Sequence, residues 1–361
     1  MRDRPPEMRV DPVEPLQWIA RRRIVVRTPL INFTLGPGDG ALVSEGDAVA
    51  PGVPLCERTL DARLVDVGRL SGPTWPVGGE AGERRRPPCP GNWWRGAGER
   101  RGSGERKVAW PPSGTLLYQA GGRWTAAAGE YQSILVSPIH GVVRAVRNGV
   151  GVTVEASGTG LLAAVAAGEP SRGCLDLPGL TDGDLPPSAL DVSRAGRVVV
   201  AGSRVSAQAI GRARAMSIHG LIAASAGENS LRDLRAAELR QRASLAPPAP
   251  FGLIVLDGYQ RRPIASPILA LLAALAGSDV AIVTDPPMLV FDGSDLPLPE
   301  MPPDWIRVRS GRYAGREGRF LEPAGYRRFG AGMHLDGAIV CFADETEPTT
   351  LPFADLERFV F

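Results

Sequence analysis

Between Arg197 and Thr284 the chain alternates two periodicities, and this alternation restricts its fold more than any other feature. Strand-type runs at Arg197–Ala201, Gly220–Ala224, Phe251–Leu256 and Val280–Thr284 are separated by stretches of helical period at Ala207–Met216, Ser230–Ser244 and Ser266–Leu275. Strands alternating with helices of this length build βαβ units, which close right-handed onto a parallel sheet. Residues 195–285 are therefore expected to form a small parallel α/β domain of about four strands. Ligands of such sheets gather at the carboxyl ends of the strands. There the chain places Gly202, Ser203 and Arg204 after the first run, Ser225, Ala226 and Gly227 after the second, and Asp257, Gly258, Tyr259 and Arg261 after the third. Small residues ahead of a helix can present backbone N–H groups to an anion. Gly202, Ser203, Arg204, Asp257 and Arg261 are thus a candidate anion or ligand site. The stretch AGSRVSAQAIG lacks the close-set glycines of a dinucleotide fingerprint, and a packed, ligand-free sheet accounts for the same residues. Asp257, Arg261 and Arg262 also suit a plain surface ion pair.

The remainder is turn-rich. A chain of 361 residues exceeds what one core usually serves, and 44 Gly with 34 Pro favour short strands and loops. Short β-type runs, among them Ile24–Val26, Leu64–Val67 and Gly114–Tyr118, mark 18–155 as a β-rich domain. It is interrupted at 78–110 by an Arg, Gly, Glu and Pro tract without hydrophobic period, expected to be a disordered insertion. Eight basic and three acidic side chains lie between Glu83 and Lys107. Trp93 and Trp94 stand among those arginines, a pairing that can stack on bases, although a solvated loop explains the composition as well. Pro- and Gly-rich passages at 160–195 and 286–303 read as connections. A last β module follows at 304–361, with strands at Ile306–Arg309, Gly318–Leu321, Ala338–Phe342 and Phe359–Phe361, and a further one at Leu351–Phe353.

Charge and rare residues exclude several chemistries. The net charge is only +2, so nucleic-acid binding would need a local patch. Lys107 is the one lysine among 41 Lys and Arg residues, and it lies in the insertion. A P-loop, a biotinyl or lipoyl carrier and a Schiff-base enzyme each need a lysine elsewhere. Cys56, Cys89, Cys174 and Cys341 form no CxxC pair, which argues for reduced thiols rather than a zinc site or disulfide framework. His140, His219 and His334 fall in different modules without a Ser, Cys or Asp partner at a telling spacing. No catalytic residue, metal or cofactor is therefore expected, and a non-enzymatic protein is favoured. The opening MRDRPPEMRVDPVEP has no apolar signal core, and the apolar stretch Ile264–Ala276 is too short to span a membrane. A cytoplasmic location away from membranes is the expectation; nothing in the chain indicates an oligomeric state.

Two segments resemble known families. IRVRSGRYAGREGRFLE, Ile306–Glu322, followed by GAIVCF and TLPFADLERFV, resembles the KOW motif of transcription elongation factors and several ribosomal proteins. Gly311, Gly315 and Gly318 permit the hairpin, and Val308 and Phe320 face a small core. The resemblance implies an SH3-like barrel over 304–361 and a nucleic-acid or partner-binding face at Arg307, Arg309, Arg312, Tyr313, Arg316 and Arg319, with Arg327 and Arg328 beyond. Asp344, Glu345, Glu347, Asp355 and Glu357 offset that charge, and such barrels also bind proteins or brace neighbouring domains. ALVSEGDAVAPGVPL, Ala41–Leu55, and SPIHGVVRAV, Ser137–Val146, resemble the two halves of barrel-sandwich hybrid domains, a group that includes biotinyl and lipoyl carriers and a component of an electron-transport complex. The carrier lysine is absent, so this second resemblance implies a fold without the swinging-arm chemistry.

The expected fold class is accordingly multi-domain α+β: a β-rich barrel-sandwich-like N-terminal domain, a small parallel α/β domain and a C-terminal SH3-like β-barrel. The expected function is a non-enzymatic binding or scaffold protein that contacts RNA, DNA or the transcription and translation machinery through the KOW-like barrel. The alternative is a small-ligand-binding or enzymatic α/β domain using the loops at its strand carboxyl ends.

Overall fold

The computed structural model describes residues 15–36, 39–68, 114–120, 123–178, 183–241, 250–292 and 299–361; the expected insertion at 78–110 lies outside the described residues. The alternating segment folds as its pattern dictates, with helices α1 (Ala207–Ala215), α2 (Glu228–Gln241) and α3 (Ser266–Ala274). Ser206 caps α1 by accepting a hydrogen bond from the Ala209 amide, and α3 starts with a proline in its first turn, where no amide proton is needed.

The intervening strands belong to a larger mixed sheet of nine, in the order Val165–Gly168, Gly252–Gly258, Gly220–Ala226, Val198–Val205, Ser171–Asp176, Asp279–Thr284, Pro287–Phe291, Thr159–Leu162 and Val25–Arg27. Four neighbours, from Gly252–Gly258 to Ser171–Asp176, run parallel. The strands depart from the expected pattern in two ways. Asp279–Thr284 is antiparallel to both its neighbours, so it is not the fourth parallel strand. That place is taken by Ser171–Asp176, from a passage that reads as a linker because SRGCLD carries no β-branched run, and Pro287–Phe291 likewise turns an expected connection into a strand.

α1 and α2 cover one face of the sheet, where Ile210, Ala213, Leu231 and Leu234 pack on Val199, Leu221 and Leu253. α3 covers the other, with Ile268, Leu271 and Leu272 against Val200, Ile222 and Ile254. Strands buried on both faces need apolar residues at every position, which is why these runs are legible in the sequence.

Two four-stranded sheets lie alongside. One joins Leu30–Thr34, Gly151–Ala156, Gly141–Arg147 and Ala48–Val49; the other joins Gly40–Ala41, Pro54–Gly68, Arg123–Val136 and Gly114–Ala120. The segments 41–55 and 137–146 close on each other: Ala48 and Val49 pair with Val142 and Gly141, and the Ser137 amide donates to the Val53 carbonyl. Ile31, Phe33, Val49, Leu55 and Val152 share a core with Val283 and Met288 of the large sheet.

The six-stranded C-terminal sheet runs Ala20–Arg23, Leu356–Val360, Trp305–Val308, Glu317–Arg328, His334–Phe342 and Thr349–Pro352. Its core contains Val308 and Phe320, joined by Ile306, Val340 and Phe342. Its first strand, ARRR, comes from the other end of the chain and lies parallel to Leu356–Val360. After Ile24 the same segment enters the nine-stranded sheet as Val25–Arg27. Sheet pairing thus crosses the expected borders at 18–155, 195–285 and 304–361. The protein is β-dominated with several mixed sheets, and among the described residues no helix is long and apolar enough to cross a membrane.

Candidate functional site

The carboxyl edge of the parallel strands holds two distinct arrangements. The first surrounds Asp257, whose side chain is 1% exposed although it ends an apolar run. Arg307 grips it with both terminal nitrogens, Nη1 to Oδ1 at 3.0 Å and Nη2 to Oδ2 at 2.8 Å. Arg22 donates to the same Oδ1 at 2.6 Å and to the Leu256 carbonyl at 2.6 Å. Glu357 completes the group, 3.5 Å from Arg307 Nη1 and 4.0 Å from Arg22 Nη1. Arg307 is 0% exposed and also donates to the Pro263 carbonyl. The two guanidinium carbons stand 5.7 and 5.8 Å from the centroid of the Phe359 ring, within range of cation–π attraction.

Burial alone would raise the Asp257 carboxyl, but the hydrogen bonds and charge of Arg307, followed by those of Arg22, outweigh it and hold the group below the usual carboxylate value. Burial works against the Arg307 cation too, and Asp257 with Glu357 more than restores it. Arg262, at the edge of the cluster, is pushed down by burial; Asp257 opposes that shift and Arg307 adds to it.

More contacts fasten the C-terminal sheet here. Glu317 accepts from the Ser266 amide at 2.7 Å, from the Ser266 hydroxyl and from Trp305 Nε1 at 3.3 Å. It thereby satisfies the first turn of α3, whose own N-cap, Ala265, has no side chain to do so. Gly315, at φ +90°, brings its hairpin so close that a Cβ there would lie 2.7 Å from Arg262 Cβ.

These contacts redistribute the expected partner-binding residues. Arg307 is withdrawn into the interior, where Asp257, the Pro263 carbonyl and Glu357 of the neighbouring strand engage it. Arg316 pairs with Asp344 and with Glu345 at 2.8 Å and lies 3.9 Å over the Phe342 ring. Burial works against its charge, and the two carboxylates outweigh that and raise its basicity. Arg319 is 71% exposed and 3.8 Å from Asp304. Arg309 and Arg312 face outward, Arg312 at 5.4 Å from the Tyr313 ring, which itself packs on Phe342.

The second arrangement follows the strand Val198–Val205. A bulge between Val200 and Gly202 shifts its register against Gly220–Ala226. Gly202, at φ +82°, bridges to Asp184, and a Cβ there would meet the Gly183 carbonyl at 2.0 Å. Ser203 is consequently buried, its carbonyl accepting from the Ser225 hydroxyl, while Arg204 is exposed. Arg204 opens onto a cleft of about 400 Å³ lined also by Leu185, Pro186, Val205, Ser206 and Ser230. Arg261 pairs with Asp184, a wall residue of that cleft, at 3.1 Å.

The five candidate ligand residues therefore part company: Arg204 lines the cleft, Arg261 pairs with its wall residue Asp184, Gly202 and Ser203 shape its strand, and Asp257 serves the buried ion cluster. Arg22 and Glu317 are not legible as site residues in the sequence, and Glu357 is legible there only as an acid offsetting the terminal arginines. Arg22 in ARRR and Glu317 in GREGR stand among other charged or small residues and carry no local signal of burial; the charges flanked by apolar residues, in WIRV and IVLDG, are Arg307 and Asp257. Among the described residues no group of three or more His, Cys, Asp or Glu converges to hold a metal ion. No protein-family model, curated protein or solved structure matches the chain.

Proposed function

We propose that the protein is a non-enzymatic binding or scaffold protein of the cytoplasm. In this reading residues 304–361, completed by Ala20–Arg23, are an SH3-like barrel of the KOW kind, and the paired segments 41–55 and 137–146 belong to a barrel-sandwich-like module. The observation that carries the proposal is the buried Arg22–Asp257–Arg307–Glu357 cluster. It commits the most strongly placed charges to holding two sheets in fixed relation, the requirement of a platform that presents a surface. Arg309, Arg312 and Arg319 are then the outward cations, and their chemistry suits the phosphates of RNA or DNA.

The test is filter binding of the full chain to mixed RNA and duplex DNA across a salt series, beside an Arg309→Glu, Arg312→Glu variant. Binding should weaken steeply with salt, and the slope should fall by roughly one for each phosphate contact removed. Absence of binding at low salt, or an unchanged slope in the variant, would discard nucleic acid and leave a protein partner. Deleting 304–361 is an unsuitable control, since it would strip Asp257 of Arg307.

A further inference from the structure

The cleft beside Arg204 shares no lining residue with the C-terminal surface, so it stands or falls independently of the function proposed above. One wall is the segment Asp184–Pro187. It is fixed by the Asp184–Gly202 bridge and by the Leu185 amide donating to the Ala201 carbonyl. Arg212 Nε donates to the Leu190 carbonyl at 2.7 Å and ties the end of this wall to α1. The opposite wall is Arg204 to Gln208 with Ser230.

The chemistry of the walls is divided. Leu185, Pro186, Pro187 and Val205 offer a flat apolar surface, and Arg204, Ser206, Gln208 and Ser230 offer donors. Ser206 Oγ already accepts from the Ala209 amide, which leaves its proton for a ligand. Among the described residues lining the cleft the one carboxylate, Asp184, pairs with Arg261. The guanidinium of Arg204 lies near Gly227, where a Cβ would stand 3.0 Å from Nη2. The volume of about 400 Å³ suits a small molecule rather than a lone ion.

We propose that this cleft binds a phosphate monoester bearing a planar group, of mononucleotide size, with Arg204 and the Ser206 and Ser230 hydroxyls on the phosphate and the planar group against Pro186 and Pro187. Guanidinium recognises phosphate through paired N–H donors, and proline rings present a flat apolar face. The site is one for binding, with no reaction assigned to it.

Isothermal titration of the full chain with adenosine 5′-monophosphate, adenosine and inorganic phosphate tests the assignment. The monophosphate should bind saturably, and adenosine and phosphate should each bind at least about tenfold more weakly, because each lacks one half of the recognition. Arg204→Glu should weaken the monophosphate by about ten- to a hundredfold, with Arg204→Lys intermediate. Circular dichroism melting of both variants separates lost binding from lost folding: Arg204 is exposed, so neither melt should move. Absence of saturable heat with the monophosphate, equal binding of adenosine, or wild-type affinity in Arg204→Glu would overturn the proposal.

Discussion

Arg307 and Arg316 sit in one short motif, and each is flanked by two carboxylates, yet they live in opposite dielectric worlds. Arg307 is fully buried, and its partners Asp257 and Glu357, with Arg22 beside them, arrive from distant segments. Arg316 finds both partners, Asp344 and Glu345, on a single surface turn, where their side chains are 73% and 44% exposed. A buried pair that loses one member strands the other away from water, whereas a surface carboxylate that loses its arginine simply hydrates. The same residue type in the same motif is therefore architectural in one position and nearly dispensable in the other. The difference lies in what covers it, not in the motif.

The contrast would be broken most readily at Arg307. Arg307→Ala should lower unfolding free energy by about 3–5 kcal/mol, read from urea denaturation, because Asp257 keeps only Arg22. Acid should dissolve the same advantage. The folded-state value of Asp257 lies below its unfolded value of about 3.9, so its stabilisation is complete above about pH 4 and fades as pH falls further, through the folded value. The melting-temperature gap between wild type and Asp257→Asn should accordingly be constant near neutrality and narrow below about pH 4. Glu317→Ala removes a cap from α3 and a partner from Trp305, and should cost about 1 kcal/mol by the same urea measurement. Arg316→Ala is the smallest: its urea midpoint should coincide with wild type, and a shift as large as that of Glu317→Ala would erase the distinction between the two clusters.

The legible parts of this fold were those whose pattern is set locally. Val198–Val205, Gly220–Ala226 and Gly252–Gly258 are covered on both faces and so carry apolar runs, and α1 follows the Ser206 cap while α3 has Pro267 in its first turn. The illegible parts are held by partners far along the chain. Ala20–Arg23 has three arginines and no alternation; only its pairing with Leu356–Val360 makes it a strand. Ser171–Asp176 is recruited between two neighbours that would otherwise not meet. The candidate site shows the same division. Asp257 was visible as a charge closing an apolar run, but its partner Arg22 is 235 residues away. Arg204 was visible at its strand end, while Asp184, which gives the cleft its wall and Arg261 its partner, lies in a passage that reads as a linker.

Asp257 and Arg307 meet in the interior and lock the C-terminal sheet to the parallel strands. A double-mutant cycle of Asp257→Ala and Arg307→Ala, followed by urea denaturation, measures that contact directly. Each single change should cost several kcal/mol and the double change far less than their sum, leaving a coupling energy of at least about 2 kcal/mol. Losses that add to within about 0.5 kcal/mol would mean that the two side chains do not meet, and would contradict the account.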